Sequence, residues 1–88
     1  MRTIITNNFE KATEKLKNRQ IEERILASVV QVQEAATIQD IKNLEKLSGF
    51  KVYFRIRVGD YRIGLKIEHN VVTFLDVGHR KEIYKHFP

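Results

Sequence analysis

Between Tyr53 and Lys66 the chain reads Tyr53-Phe54-Arg55-Ile56-Arg57-Val58-Gly59-Asp60-Tyr61-Arg62-Ile63-Gly64-Leu65-Lys66, three arginines and a lysine set among apolar residues. Guanidinium forks bind phosphate oxygens bidentately, so this composition suits a polyanion. Tyr53 adds a ring that can stack on a base or hydrogen-bond, a common pairing on single-stranded RNA surfaces. A second chemical group follows near the end of the chain, His79-Arg80-Lys81-Glu82-Ile83-Tyr84. Histidine is the side chain that changes charge near neutrality, which makes His79 a candidate acid/base. Other chemistries find no residues. The 88 residues include no cysteine, which removes disulfide frameworks, thiolate zinc sites and cysteine nucleophiles together. His79 and His86 are seven apart, about 10.5 Å along a helix and too far to share one metal. No other His, Asp or Glu spacing suggests a metal site. Phosphate-cradling glycine loops, nucleophile elbows and paired carboxylates are also missing.

The elements that would position these residues follow from the period of the pattern. Val52 to Val58 alternates polar and apolar, Gly59-Asp60 is a two-residue turn, and Tyr61 to Ile67 alternates again. A two-residue turn pairs Val58 with Tyr61, Arg57 with Arg62, Ile56 with Ile63 and Arg55 with Gly64. Phe54, Ile56, Val58, Tyr61, Ile63, Leu65 and Ile67 then share a face that helices must cover. Tyr53, Arg55, Arg57, Arg62, Gly64 and Lys66 share the other. Two arginines directly opposite each other repel, at up to about 1 kcal/mol relative to a neutral pair. Such a face could simply be solvated, but alternating Lys and Glu would achieve that with attraction instead. A second tight turn at His69-Asn70 leads into a third strand, Val71 to Val77. With a two-residue turn Asp76 falls on the core face; with a three-residue loop it faces Arg62 as an ion pair, and both remain open. Arg80 to Phe87 reads as a short terminal helix, with Arg80 and Tyr84 as i, i+4 neighbours and Ile83 and Phe87 turned inward.

Upstream, Arg2 to Thr6 is a plausible strand. Asn7 with Glu10 three residues on resembles a capping box, and Phe9, Ala12 and Leu16 form a narrow helical stripe. After a break at Asn18-Arg19-Gln20, a second helix carries Ile21, Ile25, Val29, Val32 and Ala36, with Leu26 and Val30 broadening the stripe. Two helices so close predict an antiparallel hairpin. Residues 37–49 are ambiguous, apart from a turn at Ser48-Gly49. The fold class is therefore α+β: an N-terminal strand, a helical hairpin packed on one face of an antiparallel meander, and a short C-terminal helix. Residues 1–88 fit a single domain, since chains divide only well beyond about 250 residues. A domain of this size has little room for a deep internal cofactor cavity. The net charge of +5 is uneven, with eight basic and four acidic residues in 50–88 against eight and seven in 1–49. No signal-peptide core follows Met1-Arg2, and no apolar run approaches the ~20 residues that span a bilayer. The expectation is a soluble cytoplasmic protein without a membrane partner.

Tyr53-Phe54-Arg55-Ile56-Arg57-Val58-Gly59-Asp60-Tyr61-Arg62, followed by Val77-Gly78-His79-Arg80-Lys81-Glu82-Ile83-Tyr84, resembles the RelE/ParE superfamily of bacterial toxin–antitoxin toxins. Order of elements and length fit as well. For the RelE branch, the resemblance implies a metal-independent, cofactor-free endoribonuclease that cuts mRNA in the ribosomal A site by attack of a 2′-OH on the adjacent phosphate. Carried over by position, Arg62 would hold the scissile phosphate, Arg80 would stabilise its transition-state charge, and Tyr84 would stack on or orient a base. By the same resemblance, Arg55 and Arg57 stand where members often have lysines that serve electrostatics or base catalysis. Arginine stays protonated, with a pKa above ~12, so these two are poor bases and His79 is the better candidate. The Gly-His-Arg run also recurs in members of differing activity, which leaves His79 the alternative role of orienting its neighbours. Tyr53, Lys66 and Lys81 would add RNA contacts. The implied partners are the ribosome, mRNA and a cognate antitoxin protein whose flexible segment masks the site. The alternative is a ParE-like toxin that binds DNA gyrase and cleaves nothing, because one fold serves both.

Overall fold

The computed structural model describes residues 1–88. Strand β1 (Arg2–Ile5) runs into helices α1 (Asn7–Lys15) and α2 (Arg19–Glu34), and strands β2 (Leu44–Lys46), β3 (Tyr53–Val58), β4 (Tyr61–Glu68) and β5 (Val71–His79) follow. Single 3-10 turns lie at Ile38–Asp40 and Ile83–Lys85. The sheet order is β1-β5-β4-β3-β2, with β1 parallel to β5 and every other pair antiparallel. The ambiguous stretch 37–49 thus contributes an edge strand, and no helix is long and apolar enough to cross a membrane.

Local chemistry explains the helix boundaries. Thr6 is still extended as it leaves β1, and its hydroxyl accepts from the Phe9 amide (3.1 Å) while donating to the Phe74 carbonyl (2.7 Å). Thr6, and not the expected Asn7, is therefore the N-cap of α1, because one hydroxyl closes the helix and fastens it to β5. Asn18 caps α2 by accepting from the Ile21 amide at 3.2 Å. Ile25, Val29 and Val32 of α2 are buried as their spacing predicts. Ala35 replaces Ala36 in the core because the helix stops at Glu34. Leu26 (62% exposed) and Val30 (41%) point to solvent, so the buried stripe is narrower than expected. The last turn of α2 has no basic side chain, and the Met1 ammonium donates instead to the carbonyls of Val32, Gln33 and Ala35. A positive charge there suits the negative end of the helix dipole.

The β3–β4 register follows the two-residue turn: Val58 opposite Tyr61, Arg57 opposite Arg62, Arg55 opposite Gly64. Gly59 sits at φ +58°, the conformation that a type II′ hairpin asks of its first loop residue. His69 and Asn70 both have positive φ, so that turn also has two residues. Asp76 nonetheless takes neither expected place. Leu65 pairs with Phe74 and Gly64 with Asp76, leaving Leu75 as the extra residue of a β-bulge. The bulge exchanges the faces of everything after it. Val77 enters the helix-covered core opposite Ile63, and Asp76 lies on the other face.

Two apolar clusters result. Fourteen buried residues, among them Phe9, Ile25, Val32, Ile63, Leu65 and Phe74, lie between the helices and the sheet. Leu47, Ile83 and Phe87 form a smaller cluster, with Tyr53 and Leu75 packed against it. The expected C-terminal helix is reduced to the Ile83–Lys85 turn. A short segment gains little from helix formation by itself, and here both apolar side chains are taken by the sheet.

Candidate active site

The face of β3 and β4 turned away from the helices carries the cationic residues, as their register requires. Arg57 is exposed and has no acidic group within ion-pair distance. Arg62, directly across from it, folds its guanidinium over the hairpin turn, where Nη1 donates to the carbonyls of Gly59 (2.8 Å) and Tyr61 (2.9 Å). Arg24 of α2 reaches the same turn: a Cβ on Gly59 would stand 3.0 Å from its Nη1. The Arg80 amide donates to the Asp60 carbonyl at 2.8 Å, which ties the C-terminal motif to the hairpin. Arg62 and Arg80 therefore meet around one two-residue turn although eighteen positions separate them. Arg24 completes this group and was not legible as part of it, because a lone arginine on a helix has no distinguishing spacing.

Arg55 is engaged differently. Its Nη2 lies 3.4 Å from a Glu45 carboxylate oxygen of β2, and its Nη1 donates to the Tyr84 hydroxyl. The guanidinium also stands over the Tyr84 ring, 5.4 Å from its centre. Its Nε is buried with no partner. Glu45 escaped the sequence reading because β2 is three residues long and shows no periodic pattern. Lys66 lies at the far end of β4, 3.9 Å from Glu68. Lys81 is exposed beyond β5.

Two expected roles change. Tyr53 is half-buried, and its ring meets those of Phe50 (5.7 Å) and Phe87 (5.9 Å) edge to face, so packing occupies it instead of a free stacking position beside the arginines. His79 pairs with Tyr61, on the helix-covered face, and the two rings are 5.5 Å apart. Its Nδ1 accepts from the Lys81 amide at 3.2 Å. That places the imidazole on the side of the sheet opposite Arg57 and Arg62, hydrogen-bonded to the chain just past Arg80. Tyr84 is 45% exposed and reaches the arginine face, but through contact with Arg55 and not as a helical neighbour of Arg80.

The arrangement is an open cationic surface in which a hairpin and a C-terminal turn are held together, with one tyrosine presented beside the Arg55 guanidinium. Residues 3–84 match the family described as "ParE toxin of type II toxin-antitoxin system, parDE". Toxin RelE3 of Methanocaldococcus jannaschii is 39% identical over 69 residues, covering 77% of this chain and 78% of that protein. The toxin–antitoxin complex RelB-RelE from Methanococcus jannaschii has a chain that superposes with a TM-score of 0.79 at 34% identity, covering 97% of this chain and 99% of that one. The archaeal RelE-RelB complex from Pyrococcus horikoshii OT3 gives a TM-score of 0.71 at 22% identity, with 92% and 96% covered, a likeness of fold. The chain belongs to the RelE/ParE superfamily of toxins from type II toxin–antitoxin systems.

Proposed function

We propose that this toxin is a ribosome-dependent endoribonuclease that cleaves mRNA in the A site. The observation that supports the reading is the pairing of Arg57 with Arg62 on the open face, with the Arg80 backbone tied to the same hairpin turn and Tyr84 held against Arg55 farther along β3. In the reaction a ribose 2′-hydroxyl gives up its proton to water as its oxygen attacks the adjacent phosphorus. The bond to the 5′-oxygen breaks with that oxygen taking up a proton from water, and a 2′,3′-cyclic phosphate and a 5′-hydroxyl form. Negative charge rises on the phosphate oxygens, and preorganised cations stabilise it most where little water intervenes. Arg62 holds the scissile phosphate, Arg80 and Arg57 neutralise developing charge, and Tyr84 orients a neighbouring base. Lys66 and Lys81 extend the charge along the RNA. Arg55 serves chiefly by holding Tyr84. None of the arginines acts as base, since guanidinium stays protonated, and His79 faces away. Positioning of the mRNA by the ribosome carries much of the rate enhancement instead. A cognate antitoxin is the second partner: a small protein that masks the arginine face, in keeping with the RelB-RelE complexes among the similar structures.

A second reading has its own support, because the matched family description is that of a ParE toxin. In that case the target is DNA gyrase and mRNA stays intact. Inducing the toxin and mapping 5′ ends of cellular mRNA separates the two. Codon-phased cuts that require translation are expected here, whereas intact mRNA with DNA damage means the gyrase reading. The double variant Arg62→Ala/Arg80→Ala is expected to fold and to lose growth arrest. Unchanged toxicity in that variant would sink the nuclease assignment.

A further inference from the structure

Phe87 is 6% exposed although it is the penultimate residue, and its ring lies flat over Gly64 in the middle of β4. A Cβ on Gly64 would stand 2.8 Å from three ring carbons at once. That distance is well inside van der Waals contact, so this glycine is required by the ring above it and not by its own backbone angles. The hollow is walled by Tyr53 and Leu47, and Ile83 fills the remainder at 2% exposure. Outside the hollow, His86 Nε2 approaches Asp76 Oδ2 at 3.5 Å, and Asp76 is on this face only because of the Leu75 bulge. The tail is thus held at Ile83, His86 and Phe87. Tyr84 lies between those anchors, and Gly64 is the direct cross-strand partner of Arg55, the residue that Tyr84 touches.

We infer that the Gly64 hollow and the Phe87 ring form a seat whose work is to fix Tyr84 over Arg55, making Gly64 and Phe87 positioning residues for the site. This rests on the nuclease reading for its catalytic consequence but not for its structural one. Ile83 and Phe87 lie one residue before and three after Tyr84, so a tail with both buried has little freedom to move the ring between them. An aromatic fixed by packing presents a stacking surface without losing further rotamer freedom on binding. Loss of the seat leaves the guanidinium groups in place but frees the tyrosine, and small misplacements of such groups cost large factors in rate.

The test uses the full chain in three forms: Gly64→Ala, Phe87→Ala, and Gly64→Ala combined with Phe87→Leu, whose smaller and more flexible side chain can shift away from the added methyl. The first readout needs no RNA. In the free protein, NMR of the Tyr84 ring and of the Arg55 Nε–H group should show both moving to solvent-exposed values in either single variant, with dispersed signals elsewhere. The double variant should return them toward wild type. A Tyr84 ring that stays in place in Gly64→Ala overturns the inference outright. The second readout is cleavage of ribosome-bound mRNA: kcat should fall at least tenfold in the single variants with KM changed less than threefold, and partly recover in the double variant. Full cleavage with Tyr84 freed makes the seat a matter of stability only and refutes its positioning role. If wild type cleaves nothing while the NMR result holds, the nuclease reading fails and the seat stands.

Discussion

Arg55 and Arg57 lie two positions apart on one strand face, yet their surroundings give them opposite stability effects. Arg55 has Glu45 at 3.4 Å, the Tyr84 hydroxyl, and a ring beneath its guanidinium. Arg55→Ala should cost about 1 kcal/mol in urea unfolding, the scale of a partly shielded charged hydrogen bond. Arg57 faces Arg62 with no compensating acid. Arg57→Ala should change stability by less than about 0.5 kcal/mol, with stabilisation the expected sign, while weakening RNA binding. Equal losses in the two variants would contradict this division. The face on which these residues lie was legible, because alternation around a two-residue turn leaves one register. Which arginine is tied and which is free was not, since that depends on Glu45 from a strand the alternation does not reveal.

At the scale of elements, the junctions matter more than propensities. Thr6 caps α1 and bonds to β5 with one hydroxyl, whereas Asn18 caps α2 alone. Thr6→Ala should cost about 1–2 kcal/mol and Asn18→Ala about 1 kcal/mol, with Asn7→Ala close to neutral. Denaturant midpoints of the three variants check the order, and a large loss at Asn7 would return the cap to that residue. The helical hairpin and the β3–β4 hairpin were readable from period and turn chemistry. A short C-terminal helical element was readable too, but not its contraction to a single 3-10 turn, because Ile83 and Phe87 satisfy α-helical spacing equally well and only the Gly64 hollow shows why the turn is so short. The face of His79 was not legible for a related reason: it is set by β-strand parity after a bulge, which leaves no mark in composition.

For the whole molecule, charge and fold act together. The sheet places Arg57 on β3 and Arg62 and Lys66 on the central strand β4, whereas Arg2 lies on the edge strand β1. Binding to RNA should weaken linearly in log affinity against log salt. Arg57→Ala should lower that slope by about one, and Arg2→Ala should leave it unchanged. Filter binding at several salt concentrations reads both. An equal effect at the two sites would mean that the net charge of +5 acts diffusely and not through a site. The cationic excess in the second half of the chain was visible at once in the sequence. That the end of the chain folds back under it, so that two distant motifs become one surface, required the structure.

The bulge at Leu75 also bears on how the length of this chain can vary. Elsewhere in the interior of β4 or β5, losing one residue would turn the rest of the strand over and send polar groups into the core. Removing Leu75 would instead convert the bulge to regular pairing, with Asp76 still opposite Gly64 and Val77 still opposite Ile63. What would be lost is local: the carbonyl that accepts from Asn8 at 2.7 Å and a side chain against the small tail cluster. Among the central strands, that position is the one where a relative can be a residue shorter and keep both faces of its sheet.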